Sequence, residues 1–165
     1  MSTPRVRLAV WRPEDVDAFR TLATDPRVVR YISNGRPWEE ERIAEFVTRQ
    51  IGHQERLGYC CWRLLPSRGD RLIGFCGLQP HTVFGGTEIG WWLEPDQWGQ
   101  GFATEVAREV VRFAWDEAQL EKLIAVVHRE NDASAAVARK VGMEWLRDDE
   151  IRDIPVDVFG AERPA

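Results

Sequence analysis

The sequence predicts an α/β fold: one domain over residues 1–165 in which helices flank a mixed, mostly antiparallel sheet. Three observations favour this class. Apolar residues recur at helical spacing in the first third of the chain, and they alternate with period two between residues 59 and 93. Further on, amphipathic helical segments alternate with apolar strand-like runs. A chain of 165 residues is long enough for one full core and short for two domains.

The first third of the chain is predicted to hold one strand and three helices. Residues 6–10 form the strand. Pro13 opens the first helix, because proline suits a first turn and the acids that follow it suit the helix dipole. A short helix is expected at 28–32 and a turn at 34–37. Apolar positions at helical spacing predict a longer helix at 38–56.

The rest of the chain is predicted to alternate strands and helices. Strands are expected at 59–65, 72–78, 87–93, 123–127, 143–146 and 154–159, and helices at 102–118 and 132–141. Gly142 stands where glycine commonly ends a helix. Short glycine-containing turns between the central strands indicate an antiparallel meander.

Charge and cysteine content argue against several classes of function. The formal net charge is −5 and the pI is about 5.3, whereas nucleic-acid-binding surfaces are normally basic. The three cysteines, Cys60, Cys61 and Cys76, lack metal-ligand and redox-pair spacings, so we expect free buried thiols and no metal. No apolar run reaches transmembrane length, and the N-terminus is too charged for a signal peptide. These features favour a cytoplasmic protein without a nucleic-acid or membrane partner.

The most informative stretch is the strand at 87–93 and the glycine-containing loop that follows it and opens a helix. The first amides of a helix lack internal partners and carry partial positive charge, so they bind phosphate without a basic side chain. Gly99, Gly101 and Ala103 are small, which permits a pyrophosphate to approach the backbone closely. The same glycines also suit a helix entry that serves only as a turn, and the local pattern leaves both interpretations open.

A dinucleotide site of the Rossmann type is a second interpretation of this loop, because Gly99 and Gly101 also follow a strand and open a helix. Thr104 occupies the place of the third glycine of that fingerprint. The preceding strands form a meander rather than the start of a repeated βαβ array. Both features disfavour the dinucleotide interpretation.

Residues 98–105, WGQGFATE, resemble the acetyl-CoA loop of the GNAT superfamily of N-acetyltransferases, and the nearest group is that of the ribosomal-protein N-terminal alanine and serine acetyltransferases. Residues 88–93 resemble the preceding strand of that group, and residues 130–134 and 139–143 resemble its next strand-to-helix junction. Trp98 departs from the wider superfamily, which usually has Gln or Arg there. The resemblance implies a single GNAT-like domain with a splayed central strand pair.

The resemblance also implies the sites for acetyl-CoA. The pantetheine arm would lie in the gap between the splayed strands and pair with backbone near Leu93. The pyrophosphate would be held by the amides of Gly99, Gln100, Gly101, Phe102, Ala103 and Thr104. Asn131 would contact the pantetheine, and Ser134 would lie near the sulfur as a proton donor. Both residues have structural alternatives, since Asn131 is a good N-cap and serine is comfortable early in a helix.

Glu88 is the candidate base, acting through a water, because it lies on the strand expected to splay at the active centre. Its alternative role is that of a surface glutamate paired across the sheet. Among the histidines, only His128 ends a strand near the expected cofactor edge. By the same resemblance the segment 28–56 covers the acceptor groove, which makes Tyr31 and Trp38 candidates for the amine pocket. Tryptophans are more often core residues.

The predicted function is transfer of an acetyl group from acetyl-CoA to an amine, preferably the α-amine of a protein or peptide. The alternatives left open are a small-molecule amine acetyltransferase and a catalytically silent acyl-CoA-binding domain, because fold does not determine function. The oligomeric state is not predicted.

Overall fold

A computed structural model describes residues 1–165, and its strands form one seven-stranded sheet. The strands are β1 (Val6–Ala9), β2 (Cys61–Pro66), β3 (Gly74–Pro80), β4 (Thr87–Leu93), β5 (Lys122–His128), β6 (Glu144–Ile151) and β7 (Ile154–Glu162). Their spatial order is β1-β2-β3-β4-β5-β7-β6. Every neighbouring pair is antiparallel except β4 and β5, which run parallel. The predicted mixed, mostly antiparallel sheet is confirmed.

Helices cover both faces of this sheet. They are α1 (Val16–Ala23), α2 (Pro26–Val29), α3 (Glu40–Leu57), α4 (Phe102–Asp116) and α5 (Asp132–Lys140). On one face Trp92 of β4 packs 6.1 Å from the ring of Phe19 in α1. On the other face Trp62 of β2 packs 5.0 Å from Phe113 of α4. The alternation of side chains along the strands therefore assigns α1 and α3 to one layer and α4 to the opposite one.

Several predicted boundaries are wrong by a few residues. The second helix begins at Pro26 rather than at residue 28, because the Asp25 carboxylate accepts from the Arg27 amide at 2.9 Å and caps it. The helix expected from Pro13 begins as a 3-10 turn, Pro13–Asp15, and becomes α-helical at Val16. Strand β6 extends to Ile151 instead of 146, since its polar second half is held by pairing with β7 and not by burial.

The layer under α1 and α3 is a cluster of aromatic rings. Phe19 stacks on Phe46 with ring centroids 4.6 Å apart, and Trp38 and Trp92 meet edge to face at 5.0 Å. A buried ion pair ties β2 to the segment before α1, because the Arg63 guanidinium contacts the Asp15 carboxylate at 2.9 Å. These contacts hold the face of the sheet from which Glu88 projects.

The three cysteines are buried and free, as predicted. No helix of the chain is both long enough and apolar enough to cross a lipid bilayer.

Candidate active site

The central feature of the site is a wedge between β4 and β5. Strand β4 pairs with β3 along its whole length, from Gly74↔Leu93 to Pro80↔Thr87, but with β5 it shares only the pair Glu88↔Ile124. Beyond that pair the backbone of residues 89–93 has no strand partner on its β5 side. We call the space between residues 89–93 and 125–128 the wedge, and Glu88 marks its apex. The predicted splayed strand pair is confirmed.

The glycine loop, residues 99–104, lies beyond the open end of β4 and presents a row of free amides. Gly99 and Gly101 adopt left-handed backbone angles, with φ of 71° and 80°, and α4 begins at Phe102 without a side-chain cap. The backbone N–H groups of residues 99–104 donate to no acceptor in the chain. Adjacent unpaired amides at a helix N-terminus favour a bound anion.

Arg5, which sequence reasoning missed, braces this loop from the residue just before β1. Its Nη1 donates to the Gln100 carbonyl oxygen at 3.0 Å, and its Nε donates to Glu105 Oε2 at 2.6 Å. Its guanidinium also lies 4.1 Å from the centre of the Phe102 ring. Arg5 therefore links the glycine loop and the first turn of α4 to the segment before β1, and its charge is paired with that of Glu105.

Glu88 projects from the apex of the wedge towards the layer of α1 and α3, and it is partly buried. Gln79 Nε2 donates to its Oε2 at 3.2 Å. Burial raises the pKa of Glu88 to about 7, against the opposing effect of hydrogen bonds from Gln79 and the Val126 backbone. A carboxyl with this pKa is suited to accept a proton near neutral pH.

Gly90 leaves open space beside Glu88. It lies between Glu88 and Trp92 on the same face of β4, and no atom approaches within 4 Å of the position that a Cβ would occupy. Room for a reacting group is therefore built into the strand next to the candidate base. Sequence reasoning also missed this residue, although an isolated glycine inside a strand was an available signal.

Asn131 and Ser134 lie at the start of α5, directly after β5. Asn131 Oδ1 accepts from the Ser134 amide at 3.1 Å, so the capping role of Asn131 is established. Its amide nitrogen and the Ser134 hydroxyl make no hydrogen bond within the chain, and both residues are partly buried. Both polar groups are therefore available for a ligand at the mouth of the wedge.

A wedge, a row of free amides and a partly buried carboxylate at the apex form an arrangement that can bind an acylated nucleotide thioester beside a base. The family profile of the GNAT acetyltransferase domain matches residues 5–144. This chain belongs to the GNAT acetyltransferase family. It is an acetyl-CoA-dependent N-acyltransferase that acts on amines.

Relatives and solved GNAT structures resemble nearly the whole chain. The Bacillus subtilis (strain 168) protein YkkB is 29% identical over 160 residues, covering 95% of this chain and 92% of YkkB. An acetyltransferase from Agrobacterium tumefaciens str. C58 has a TM-score of 0.87 at 23% identity, covering 99% of this chain and 94% of that chain.

Two further solved structures share this fold and are named for different acceptors. RimL, a ribosomal L7/L12 α-N-protein acetyltransferase in complex with coenzyme A, has a TM-score of 0.77 at 16% identity, covering 98% of this chain and 96% of RimL. Spermidine N-acetyltransferase from Vibrio cholerae, in complex with CoA and spermine, has a TM-score of 0.78 at 15% identity, covering 98% and 97%. At these identities the likeness shows the fold alone.

The family's cosubstrate fits the residues present. Trp98, the departure from the superfamily pattern, donates its indole N–H to the Leu93 carbonyl at 2.8 Å. That bond ties the end of β4 to the glycine loop and leaves the loop amides free. The departure is therefore compatible with binding of acetyl-CoA.

The two acceptor candidates occupy different positions in this GNAT fold. The ring of Tyr31 lies 5.2 Å from that of His128, at the end of β5 and the mouth of the wedge. Trp38 is only 8% exposed and packs in the aromatic cluster against Trp92, with an indole N–H that has no acceptor. Tyr31 thus lies at the mouth of the wedge, whereas Trp38 contacts the site only through Trp92. Their roles in acceptor binding stay predictions.

Proposed function

We propose that this GNAT enzyme acetylates the α-amine of a protein or peptide. The observation that carries the proposal is that Glu88 stands at the apex of the wedge without a charged partner, and that burial raises its pKa to about 7. A weak base of this kind suffices for an α-amine, whose pKa of about 7.7–8.0 leaves roughly a tenth of it neutral at pH 7. A lysine amine with a pKa near 10.4 is neutral only about once in 2,500 molecules.

Binding of acetyl-CoA is assigned to the glycine loop and the wedge. The amides of Gly99, Gln100, Gly101, Phe102, Ala103 and Thr104 hold the pyrophosphate. The free edge of β4 up to Leu93 pairs with the pantetheine arm, and the side-chain nitrogen of Asn131 donates to it. These roles are supported by the unpaired amides and by the single β4–β5 pair.

Two residues of the chain then carry out the proton transfers of the reaction. Bound acetyl-CoA supplies a thioester whose acyl carbon forms a bond to the amine nitrogen while its bond to sulfur breaks. Glu88 receives the proton that the amine loses, through one water, while Ser134 supplies a proton to the departing sulfur and takes one back from solvent. The space beside Gly90 admits the reacting groups. Tyr31 lines the entrance for the acceptor, and Trp38 supports the pocket wall through Trp92.

A small-molecule amine is the second candidate acceptor, because spermidine N-acetyltransferase shares this fold at a TM-score of 0.78. The test measures CoA thiol release with matched short peptides whose only free amine is either the N-terminus or one lysine, with spermidine as a third acceptor, from pH 6.5 to 9. We expect the N-terminal peptide to react fastest at neutral pH. Faster acetylation of the lysine peptide or of spermidine at pH 7 would overturn the α-amine assignment.

A further inference from the structure

The core of the α3 layer contains a completely buried glutamine. Gln50 of α3 is 0% exposed, and only one other polar side chain, Arg63, is in the buried class. A buried amide is costly unless its oxygen and nitrogen are both hydrogen-bonded. The Cys61 backbone N–H donates to Gln50 Oε1 at 2.8 Å, which satisfies the oxygen.

The nitrogen of Gln50 starts a chain of hydrogen bonds that ends at the candidate base. Gln50 Nε2 donates to Gln79 Oε1 at 3.3 Å, and Gln79 Nε2 donates to Glu88 Oε2 at 3.2 Å. The direction of this chain is fixed at its origin, because a backbone N–H can only donate and therefore requires the oxygen of Gln50 to face it. Each amide must then present its nitrogen to the next acceptor. Glu88 is consequently always offered a donor.

A nearby glutamine shows what a purely structural arrangement looks like. Gln54 lies one turn further along α3, and its Oε1 accepts from Trp62 Nε1 at 3.0 Å and from the Cys60 thiol at 3.6 Å. Those bonds end inside the core. The chain through Gln50 instead crosses from α3 to β3 and then to β4, and it ends on the carboxylate at the apex of the wedge.

We propose that Gln50 and Gln79 are positioning residues that hold one oxygen of the Glu88 carboxylate and aim the group into the wedge for proton transfer. This inference rests on the proposed role of Glu88 as the base. Donors to a carboxylate stabilise its ionised form, so the chain opposes the burial of Glu88 in a part of the core that offers no cation contact to it.

Few other titratable groups lie around Glu88. On the β2 side these are the Cys61 thiol, whose pKa is raised well above its ordinary value mainly by burial, and the Tyr59 hydroxyl, 3.4 Å from Thr87 Oγ1. The charge of Arg49 in α3 lowers the pKa of Cys61 slightly against this burial effect. From β5, the Val126 backbone forms a hydrogen bond with Glu88. The Val126 backbone is a second donor to Glu88, and Gln79 is its side-chain donor.

The test replaces each amide with methionine, which matches its length and lacks a donor. We compare kcat/KM from pH 5.5 to 9.5 for the wild type, Gln79→Met, Gln50→Met and the control Gln54→Met, with the same amine acceptor throughout. Since the acceptor titrates identically in every case, differences between the profiles report on the enzyme. Loss of a hydrogen bond to the charged carboxylate should raise the pKa of Glu88 by about one to two, and the kcat/KM profile should move to higher pH by the same amount.

We expect Gln79→Met to lose about tenfold or more in kcat/KM at pH 6 and to approach the wild type at pH 9, with an unchanged KM for acetyl-CoA. Gln50→Met should show the same change to a smaller degree, and Gln54→Met should show none. Gln79 is only partly buried, so its variant carries the test if Gln50→Met does not fold. Unshifted profiles for folded Gln79→Met would overturn the proposal.

Titration of the Glu88 carboxyl by ¹³C NMR, assigned with Glu88→Gln, gives the same test without an acceptor. A higher pKa of Glu88 in Gln79→Met supports the proposed role of the hydrogen-bond chain, and an unchanged titration contradicts it. Glu88→Gln also separates the two levels of inference. If that variant keeps full activity, Glu88 is not the base and both proposals fall. If it is inactive while Gln79→Met matches the wild type, only the positioning role falls.

Discussion

Strand β4 has one edge that is fully paired and one that is nearly bare. Against β3 every residue from Thr87 to Leu93 has a register partner, whereas against β5 only Glu88 has one. Unpaired strand edges are a liability that proteins normally cover. Here the bare edge faces inwards between two strands of the same sheet, where a cosubstrate with its own amides can complete it. The paired edge supplies rigidity, and the bare edge is the proposed binding site for the cosubstrate.

Two paired glycines show the same difference between the packed and the open side of β4. Gly77 of β3 and Gly90 of β4 are register partners. A Cβ on Gly77 would lie 2.0 Å from the Cys60 carbonyl oxygen, whereas a Cβ on Gly90 would meet nothing within 4 Å. The first glycine is required for close approach of β2, and the second keeps space open beside Glu88.

The largest expected effect concerns the glycine loop. Gly101→Glu places a carboxylate against the proposed pyrophosphate site, and repulsion at about 4 Å in a partly screened site is on the order of 4 kcal/mol. We expect acetyl-CoA affinity, measured by calorimetry, to fall by about a hundredfold or more. Gly58→Glu is the matched control, because Gly58 has a similar φ of 75° and a Cβ there would meet nothing within 4 Å, while a Cβ on Gly101 would meet only Arg5 Nη2, at 3.7 Å. Equal affinity in a folded Gly101→Glu variant would refute the placement.

The next prediction concerns stability at the apex. Burial raises the pKa of Glu88 from 4.5 to about 7, so between these pH values the folded state keeps a proton that the unfolded state releases. The contribution of Glu88 to the free energy of unfolding therefore decreases by at most about 3 kcal/mol as pH rises through this window. Above the window this contribution no longer changes with pH. Glu88→Gln removes this penalty.

We expect Glu88→Gln, compared with the wild type by urea denaturation, to gain stability between pH 4.5 and pH 7.5 while it loses acetyl transfer by roughly 10²–10⁴-fold. A stability difference that stays constant with pH would show that Glu88 titrates normally, like a solvated carboxyl.

The glycine partners provide a third test, of moderate size. Gly77→Ala should lower the free energy of unfolding by about 1–3 kcal/mol, because the methyl group meets backbone. Gly90→Ala should leave stability unchanged or raise it by up to about 1 kcal/mol, since alanine restricts the unfolded chain. We nevertheless expect Gly90→Ala to lower kcat/KM about tenfold, because its methyl group occupies the space beside Glu88. Full activity in Gly90→Ala would mean that the reacting groups lie elsewhere.

The smallest effects belong to the start of α5. Asn131→Ala should cost about 1 kcal/mol of stability through the lost cap and should also raise the KM for acetyl-CoA. Ser134→Ala should lower kcat several-fold with that KM unchanged, as expected for a group that acts only on the departing sulfur. An unchanged rate for Ser134→Ala, under conditions where chemistry is limiting, would leave Ser134 without a catalytic role.

Local signals in the sequence predicted much of this molecule. Strand β4 and the first residue of α4 were placed correctly, because the apolar strand, the glycines and the amphipathic helix that follows are each readable within a few residues. The Asn131 cap was likewise predicted from its residue type and position. The bounds of α2 and β6 were not, since a side-chain cap and a hairpin partner decided them.

Contacts between distant segments could not be predicted in this way. Arg5 reaches Gln100 across 95 residues, and Gln50 reaches Gln79 across 29. Nothing in the neighbourhood of either residue indicates its partner, because tertiary packing brings them together: the segment before β1 lies against the glycine loop, and α3 packs on the sheet. Trp38 illustrates the converse, since it was considered for the acceptor pocket and lies mostly within the aromatic cluster.

Amide hydrogen exchange with and without acetyl-CoA tests the central claim most directly, because it reports on both edges of β4 and on the glycine loop in one experiment. We predict new protection of the amides at 99–104 and in the segments 89–93 and 125–128 that border the wedge. Strands β2 and β3 should exchange as before. Saturating acetyl-CoA that leaves the loop and the wedge unprotected, or that protects a different surface, would contradict the account.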